Sequence, residues 1–324
     1  MRQLDLTERL LRLRGVPTFR NMATTDLAPL AATMRSQRFE KGDVLLREDE
    51  PPRSFYMLLT GSVTLRRRGL TLRTITAPGG VGFLSLLART AGGTEAVAES
   101  MTETFEVPGD ALEEMFEDHF TLVLGTLRWI AERLVAEQID QTPPPYKPPD
   151  DDFARLIGDR ELGIVERIFL VRRTQAFENA NVNSIARLVR RMKDVRVEAG
   201  EKVWQRGDRS LTNVFIVKGK MRTSWRNTRG ESVSQELGPG YIVGGGESMA
   251  GQPRWNDLVA LEPAVYLAGS RDALVDMFED DSEIAMHFIS LLATFLLSAW
   301  DRKAEAAAAR GDGARDDKRI SVVP

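Results

Sequence analysis

The sequence predicts an α+β, mainly β fold: two tandem small β-rolls, jelly-roll-like, each flanked by helices. Three observations carry this expectation. Short β-branched and aromatic runs are broken by Gly, Pro and Asp turns; amphipathic helical patterns stand before and after each set of runs; and the whole order occurs twice.

Residues 3–14 place Leu4, Leu6, Leu10, Leu11 and Leu13 among Arg and Glu, the pattern of an amphipathic helix, and a second helical pattern runs from about Asp26 to Met34. The period then shortens. Phe39–Leu46, Ser54–Leu65 and Thr71–Ile75 are β-rich runs split by turn residues, which suits a small antiparallel barrel or sandwich. From Asp110 to about Gln138 the pattern is helical again, with Leu122, Leu124, Leu127, Ile130, Ala131 and Leu134 supplying a face for burial.

The same order then restarts. Glu8-Arg9, Phe19, Gly42 and Gly61 recur 158 residues later as Glu166-Arg167, Phe177, Gly200 and Gly219, whereas Asp110-Ala111-Leu112 and Met115–Asp118 recur 162 residues later as Asp272-Ala273-Leu274 and Met277–Asp280. The change of offset requires one longer hairpin in the second copy, and Arg222 to Gln235 is the place for it. A period this long marks a duplicated domain rather than a solenoid unit. The expected organisation is a domain over 1–140, a linker over 141–158, a second domain over 159–302 and a disordered tail over 303–324. The linker carries Thr142-Pro143-Pro144-Pro145-Tyr146-Lys147-Pro148-Pro149 and then three aspartates, a semi-rigid extended spacer. The tail is rich in Ala, Gly, Asp and Arg and has no core-forming pattern.

Composition narrows the function. The chain of 324 residues has no cysteine, so disulfides, thiol catalysis and cysteine metal sites are excluded, and its two histidines, His119 and His287, have no metal-pair spacing. A formal charge of -3 gives no global attraction to nucleic acid. The cluster Arg187, Arg190, Arg191, Lys193 and Arg196 lacks interleaved aromatics and reads as a solvated face. No nucleophile elbow, phosphate-binding P-loop, kinase-like catalytic set or two-histidine motif occurs, so no enzyme, cofactor or metal is expected. The first residues alternate charge with apolar positions, unlike a signal peptide, and a cytoplasmic protein is expected. From Ile284 to Trp300 the only polar side chains are His287, Ser290, Thr294 and Ser298. That run is slightly short for a membrane span, so it is expected to be covered by its own roll, the other copy or a second subunit, with a protein partner or homo-oligomer as the corollary.

One stretch has the residue types of a ligand site: Gly244-Gly245-Gly246-Glu247-Ser248-Met249-Ala250-Gly251-Gln252-Pro253-Arg254. Glycines let backbone amides approach an anion, a carboxylate follows, and a guanidinium arrives seven residues later. The same glycines also suit an ordinary turn.

The frame around this stretch gives it context. Phe39-x-Lys41-Gly42-Asp43-x-Leu45 through Tyr56-x-Leu58-x-x-Gly61-x-Val63 in the first copy, and Ala199-Gly200-Glu201-x-Val203, Gly207-Asp208 and Phe215-Ile216-Val217-x-Gly219 in the second, resemble cyclic-nucleotide-binding domains. The resemblance covers nearly the whole chain apart from linker and tail. It implies a sensor fold like that of the bacterial cyclic-AMP receptor proteins and protein kinase A regulatory subunits, with no recognisable DNA-binding or catalytic domain. It also implies a phosphate-binding cassette in which a Glu takes the ribose hydroxyl and an Arg the cyclic phosphate. The second copy matches at Gly246-Glu247 and Gly251-x-Pro253-Arg254, so the implied ligand-binding residues are Gly245, Gly246, Glu247, Ser248 and Arg254, and the candidate ligands are cyclic AMP and cyclic GMP. It departs in a shorter cassette helix and in Trp255-Asn256-Asp257, where Asp257 is expected to repel a phosphate. In the first copy Phe83 or Ser85 stands at the Glu position and Gly92 at the Arg position, while Arg89 is expected to be solvated. Without a cation a buried phosphate is unpaired, so that pocket is read as degenerate. The resemblance therefore implies a non-enzymatic signal-transduction protein sensing through its second domain; the alternative is a scaffold or interaction module with both pockets degenerate.

Overall fold

A computed structural model of the protein describes residues 5–16, 19, 22–89, 94–141, 143, 162–174, 176–178 and 180–309. Two helices open the first copy, α1 (Leu6–Gly15) and α2 (Thr24–Thr33). Eight strands follow: β1 (Arg35–Phe39), β2 (Val44–Leu46), β3 (Ser54–Thr60), β4 (Ser62–Arg67), β5 (Leu70–Thr76), β6 (Gly79–Val81), β7 (Glu95–Ala98) and β8 (Thr102–Pro108), with α3 (Phe83–Ala88) inserted before β7. Helices α4 (Gly109–Asp118) and α5 (Phe120–Ile139) close the copy. The second copy repeats this as α6 (Ile164–Arg172), α7 (Val182–Arg190), β9 (Lys193–Val197), β10 (Lys202–Trp204), β11 (Thr212–Lys218), β12 (Met221–Arg226), β13 (Ser232–Leu237), β14 (Ile242–Val243), α8 (Gly245–Ala250), β15 (Asp257–Ala260), β16 (Ala264–Ser270), α9 (Arg271–Asp280) and α10 (Ser282–Ala309).

Each roll is two four-stranded antiparallel sheets, in the order β1-β8-β3-β6 facing β2-β7-β4-β5, and β9-β16-β11-β14 facing β10-β15-β12-β13. Alternation along the strands buries Leu58, Val63, Ile75 and Val81 inside the first roll and Val214, Ile216, Met221 and Leu258 inside the second. Repeated residues do repeated work. Arg9 donates to the carbonyls of Ala31 and Met34, and Arg167 donates to that of Met192, so in both copies one guanidinium ties the first helix to the end of the second.

The change of offset falls in the hairpin. Strands β4 and β5 are joined by Arg68 and Gly69, both at positive φ (50° and 74°), a two-residue turn whose twist matches its strands. Between β12 and β13 the chain instead runs from Asn227 to Glu231, organised by the Asn227 Oδ1, which accepts from the amides of Arg229 and Glu231 at 3.0 and 2.9 Å.

Compactness cuts across the sequence repeat. One unit runs to Trp129 and resumes at Ile289; the other runs from Ile130 to Phe288. Helices α5 and α10 each contribute to both units, so the boundaries of compactness differ from 1–140 and 159–302. In the second unit Phe288 of α10 packs against Phe278 and Phe177, with ring centroids 5.0 and 5.9 Å apart. In the first, Ser290 donates to the Ala88 carbonyl at 2.9 Å, Trp300 lies under the Arg73 guanidinium, and buried Asp301 is bonded by Arg67. By length and composition Ser282–Lys303, 22 residues, is apolar enough to cross a membrane, a longer stretch than the sequence reading allowed. Its apolar side chains are largely buried within the two units, and Phe295 is the large hydrophobic left exposed on it.

The tail expected from 303 is corrected. Helix α10 continues through Ala309, because Ala-rich sequence favours helix even without a core to join. The rest of the tail, and nearly all of the 141–158 linker, lie outside the described residues.

Candidate functional site

The cassette of the second copy is built on glycine. Gly244 at φ 84° turns strand β14 into α8, and Gly251 at φ 69° ends that helix. Gly244 is also a matter of space: a Cβ there would meet the Arg254 guanidinium and lie 3.0 Å from the Trp204 ring. Beyond the helix the chain returns to the roll, where the Arg254 amide donates to the Asp208 carbonyl at 2.9 Å and the Arg254 carbonyl accepts from Gly207 at 2.8 Å. Residue 254 is thus clamped at its backbone before its side chain makes any contact.

That side chain points inward and is 2% exposed. Its Nη1 donates to Glu247 Oε1 and to the Gly244 carbonyl, both at 3.1 Å; its Nη2 donates to the Thr212 carbonyl and to Thr212 Oγ1. The guanidinium carbon sits 3.8 Å from the centroid of the Trp204 ring, a desolvated cation–π contact. Trp204 is itself fixed, since its Nε1 donates to Asn256 Oδ1 at 2.9 Å. Burial pushes the Arg254 pKa down, and the Glu247 carboxylate and then Asp208 act in the opposite direction. Glu247 is as enclosed as its partner.

The other residues expected at the site lie in α8. Gly245 has open space where a side chain would be, Gly246 leaves only 3.3 Å between a notional Cβ and Val135, and the buried Ser248 hydroxyl has no hydrogen-bond partner. Glu247 and Arg254 are therefore brought together, while the Ser248 hydroxyl bonds neither of them. Asp257 departs from expectation: its neighbour Leu258 points into the core, and its own carboxylate accepts from the Arg206 amide at 2.9 Å in an open surface basin shared with Arg222 and Arg226. It is turned away from Arg254, so the expected repulsion is removed. Trp255 packs edge-on against Trp225 at 4.9 Å.

Sequence reading missed Trp204 and Thr212 as parts of this site, and it took Asn256 for a replaced residue after the Arg rather than the partner of Trp204. Only the repeat offered a signal: Trp204 replaces Leu46 of the first copy, a large aromatic where the duplicate has an aliphatic.

The first cassette has the same frame and different contents. Gly82 at φ 93° opens α3 and Arg89 at φ 52° ends it. Of the two residues considered for the Glu position, Ser85 occupies it, 162 residues before Glu247, and its buried hydroxyl lies 3.1 Å from that of Thr94. Arg89 turns outward, as expected, to pair with exposed Glu113 at 3.0 Å. Gly92 lies outside the described residues. Elsewhere, Arg187 and Arg191 of the arginine cluster pair with Asp280 and Asp276 at 3.3 and 2.5 Å, a salt-bridged surface.

Comparison with known proteins agrees with this plan. Residues 36–119 and 194–281 each match the family model described as cyclic nucleotide-binding domain, and together the two regions make up more than half of the chain. Among curated proteins, the acetyltransferase Pat of Mycolicibacterium smegmatis is 27% identical over 97 residues, 30% of this chain, and the match spans only 29% of that relative's length. Among solved structures, the regulatory subunit of a cAMP-independent protein kinase A from Trypanosoma cruzi, bound to guanosine, is similar at 13% identity over 96% of each chain with a TM-score of 0.37. The regulatory domain of Toxoplasma gondii protein kinase A with cAMP is similar at 11% identity, covering 95% of this chain and 99% of that one, with a TM-score of 0.33.

Proposed function

The chain belongs to the cyclic nucleotide-binding domain family, and from that premise we propose that it is a non-enzymatic signalling protein that senses a cyclic nucleotide through its second domain. The observation carrying this reading is the Glu247–Arg254 pair, 3.1 Å apart, buried, and seated between the Gly244 turn and the Trp204 ring. An arginine kept charged and clamped in this way holds its place for an anion while none is bound. A cyclic phosphate would replace the Glu247 carboxylate on Arg254 and take amides of the Gly245–Glu247 turn, freeing Glu247 to accept from a ribose hydroxyl. One charge-assisted contact is exchanged for another, so the net gain comes from the additional hydrogen bonds and from base and sugar burial. Movement of α8 would then pass to α9 and α10, repacking them as the output.

A second reading has its own observation. Both terminal nitrogens of Arg254 are already bonded and its side chain is sequestered, which suits a pocket that is permanently self-filled in a scaffold or interaction module. Titration calorimetry of the full chain with cyclic AMP and cyclic GMP separates the two. Sensing predicts heat that falls sharply in Arg254→Lys, which keeps the charge but not the planar fork, and in Glu247→Gln. Neither heat nor a shift in melting temperature at saturating nucleotide leaves the scaffold.

A further inference from the structure

A cavity of about 240 Å³ lies in the first unit between α1, the outer face of β3 that carries Phe55 and Met57, α3, Trp129 and Trp300, with Ser85, the counterpart of Glu247, on its wall. Its walls are Phe55, Met57, Phe83, Leu84, Trp129 and Trp300. Phe83 meets Phe55 and Trp129 edge-on, with centroids 5.3 and 5.9 Å away, so aromatic rings frame the space. The buried polar groups on it are the hydroxyls of Ser85 and Thr94, already bonded to each other, and the Nη2 of Arg73. Two arginines border it, and both are engaged: Arg12 lies at 3.7 Å from Glu8 on the surface, and Arg73 stacks over Trp300 at 5.1 Å.

We propose that this cavity is a binding site for a largely apolar ring compound that carries no positive charge. The argument is one of size, polarity and cost. An apolar cavity of roughly 150 Å³ is enough for benzene, so this one takes a fused or substituted ring. Close-packed interiors do not leave such a void without loss of dispersion contacts, and an apolar guest restores them. A cationic guest would be buried without a partner, since Ser85 stands where the second copy has Glu247 and the Arg73 guanidinium is already on the wall. The mutual bond of Ser85 and Thr94 leaves one hydroxyl hydrogen and further lone pairs to meet a polar group on the guest.

The probe for the test is N-phenyl-1-naphthylamine, added to the full chain. Expected are a blue-shifted rise in its emission, saturation at about one probe per chain, and energy transfer from tryptophan that drops in the Trp129→Phe/Trp300→Phe variant. Filling the space with Ser85→Leu, or with Leu84→Phe should the first variant fail to fold, is expected to weaken binding about tenfold or more, with thermal unfolding maintained. Arg254→Lys is expected to leave probe binding unchanged, which separates this site from the one in the second domain. Absence of saturable binding, indifference to both filling variants, or displacement of the probe by cyclic AMP would overturn the proposal.

Discussion

At Gly82 and at Gly244 the backbone enters a six-residue helix through a positive φ, and at Arg89 and Gly251 it leaves through another. The two cassettes are the same piece of backbone wrapped around opposite chemistries. In the second, a buried guanidinium is boxed by a carboxylate, two carbonyls and an indole; in the first, aromatic and aliphatic walls surround a pair of hydroxyls. The difference teaches that the roll is specified by its turns and its alternating strands, which both copies keep, and that the polar contents are a separable layer. With Ser85 and Gly92 at the positions of Glu247 and Arg254, the first roll keeps its frame, as expected when neither member of an ion pair is present.

The largest break in this comparison comes from removing one member only. Arg254→Ala strands the buried Glu247 carboxylate, and the second unit should lose about 3–5 kcal/mol, read by urea unfolding in a Trp129→Phe/Trp300→Phe background where the remaining tryptophans, Trp204, Trp225 and Trp255, all lie in that unit. The double variant Glu247→Leu/Arg254→Leu should cost clearly less than Arg254→Ala. If the two cost the same, the pair is not an isolated polar layer and the analogy with the first roll fails.

Trp204→Leu installs the residue that the first copy carries at Leu46. It removes the ring under Arg254 and the bond to Asn256 Oδ1, and should cost about 2–3 kcal/mol in the same assay. Next come the paired glycine variants. Gly244→Ala should cost about 2 kcal/mol and Gly82→Ala about 1 kcal/mol, because both sit at positive φ but differ in what a methyl meets. At Gly244 it meets the clamped guanidinium and a fixed indole, whereas at Gly82 the nearest atom, at 2.9 Å, is the end of the Leu46 side chain, which can rotate. Equal costs would show that backbone strain alone sets the effect and that the packing difference between the cassettes is immaterial.

Much of this was legible in the chain. Gly42 and Gly200, and Gly61 and Gly219, have positive φ in the structure and align at one offset, because residues with a Cβ resist that conformation. The four added residues could be placed in the β12–β13 hairpin by subtraction alone. Glu247 and Arg254 were legible because they are close in sequence, joined by a short helix. The rest of the site was not, for a physical reason. Trp204 and Thr212 lie on or beside strands that reach Arg254 only through sheet packing, and no local pattern marks a tryptophan as the shelf of a guanidinium rather than a core residue. The direction of Asp257 followed from strand alternation, with Leu258 inward, but Trp255-Asn256-Asp257 was read as a string of replaced residues instead of a strand entrance. The division of α10 between two compact units was beyond sequence reasoning too, since its apolar residues surround the helix and name no partner.

The smallest effect tests the cassette exit. Arg89 has φ 52°, a left-handed conformation that costs a residue with a Cβ about 1–2 kcal/mol, where the second copy uses Gly251. Arg89→Gly relieves that strain. It also gives back unfolded-chain entropy of about 0.4–1 kcal/mol and removes an ion pair with Glu113 whose side chains are both about half exposed, worth under about 0.5 kcal/mol. At the middle of these ranges the balance is a gain of about 0.5 kcal/mol, visible as a small rise in the melting temperature of the first unit by calorimetry. A loss of stability instead would mean that the outward pair with Glu113 holds the helix end closed over the apolar interior. Arg89 would then be part of what separates the two rolls rather than a strained residue in the place of glycine.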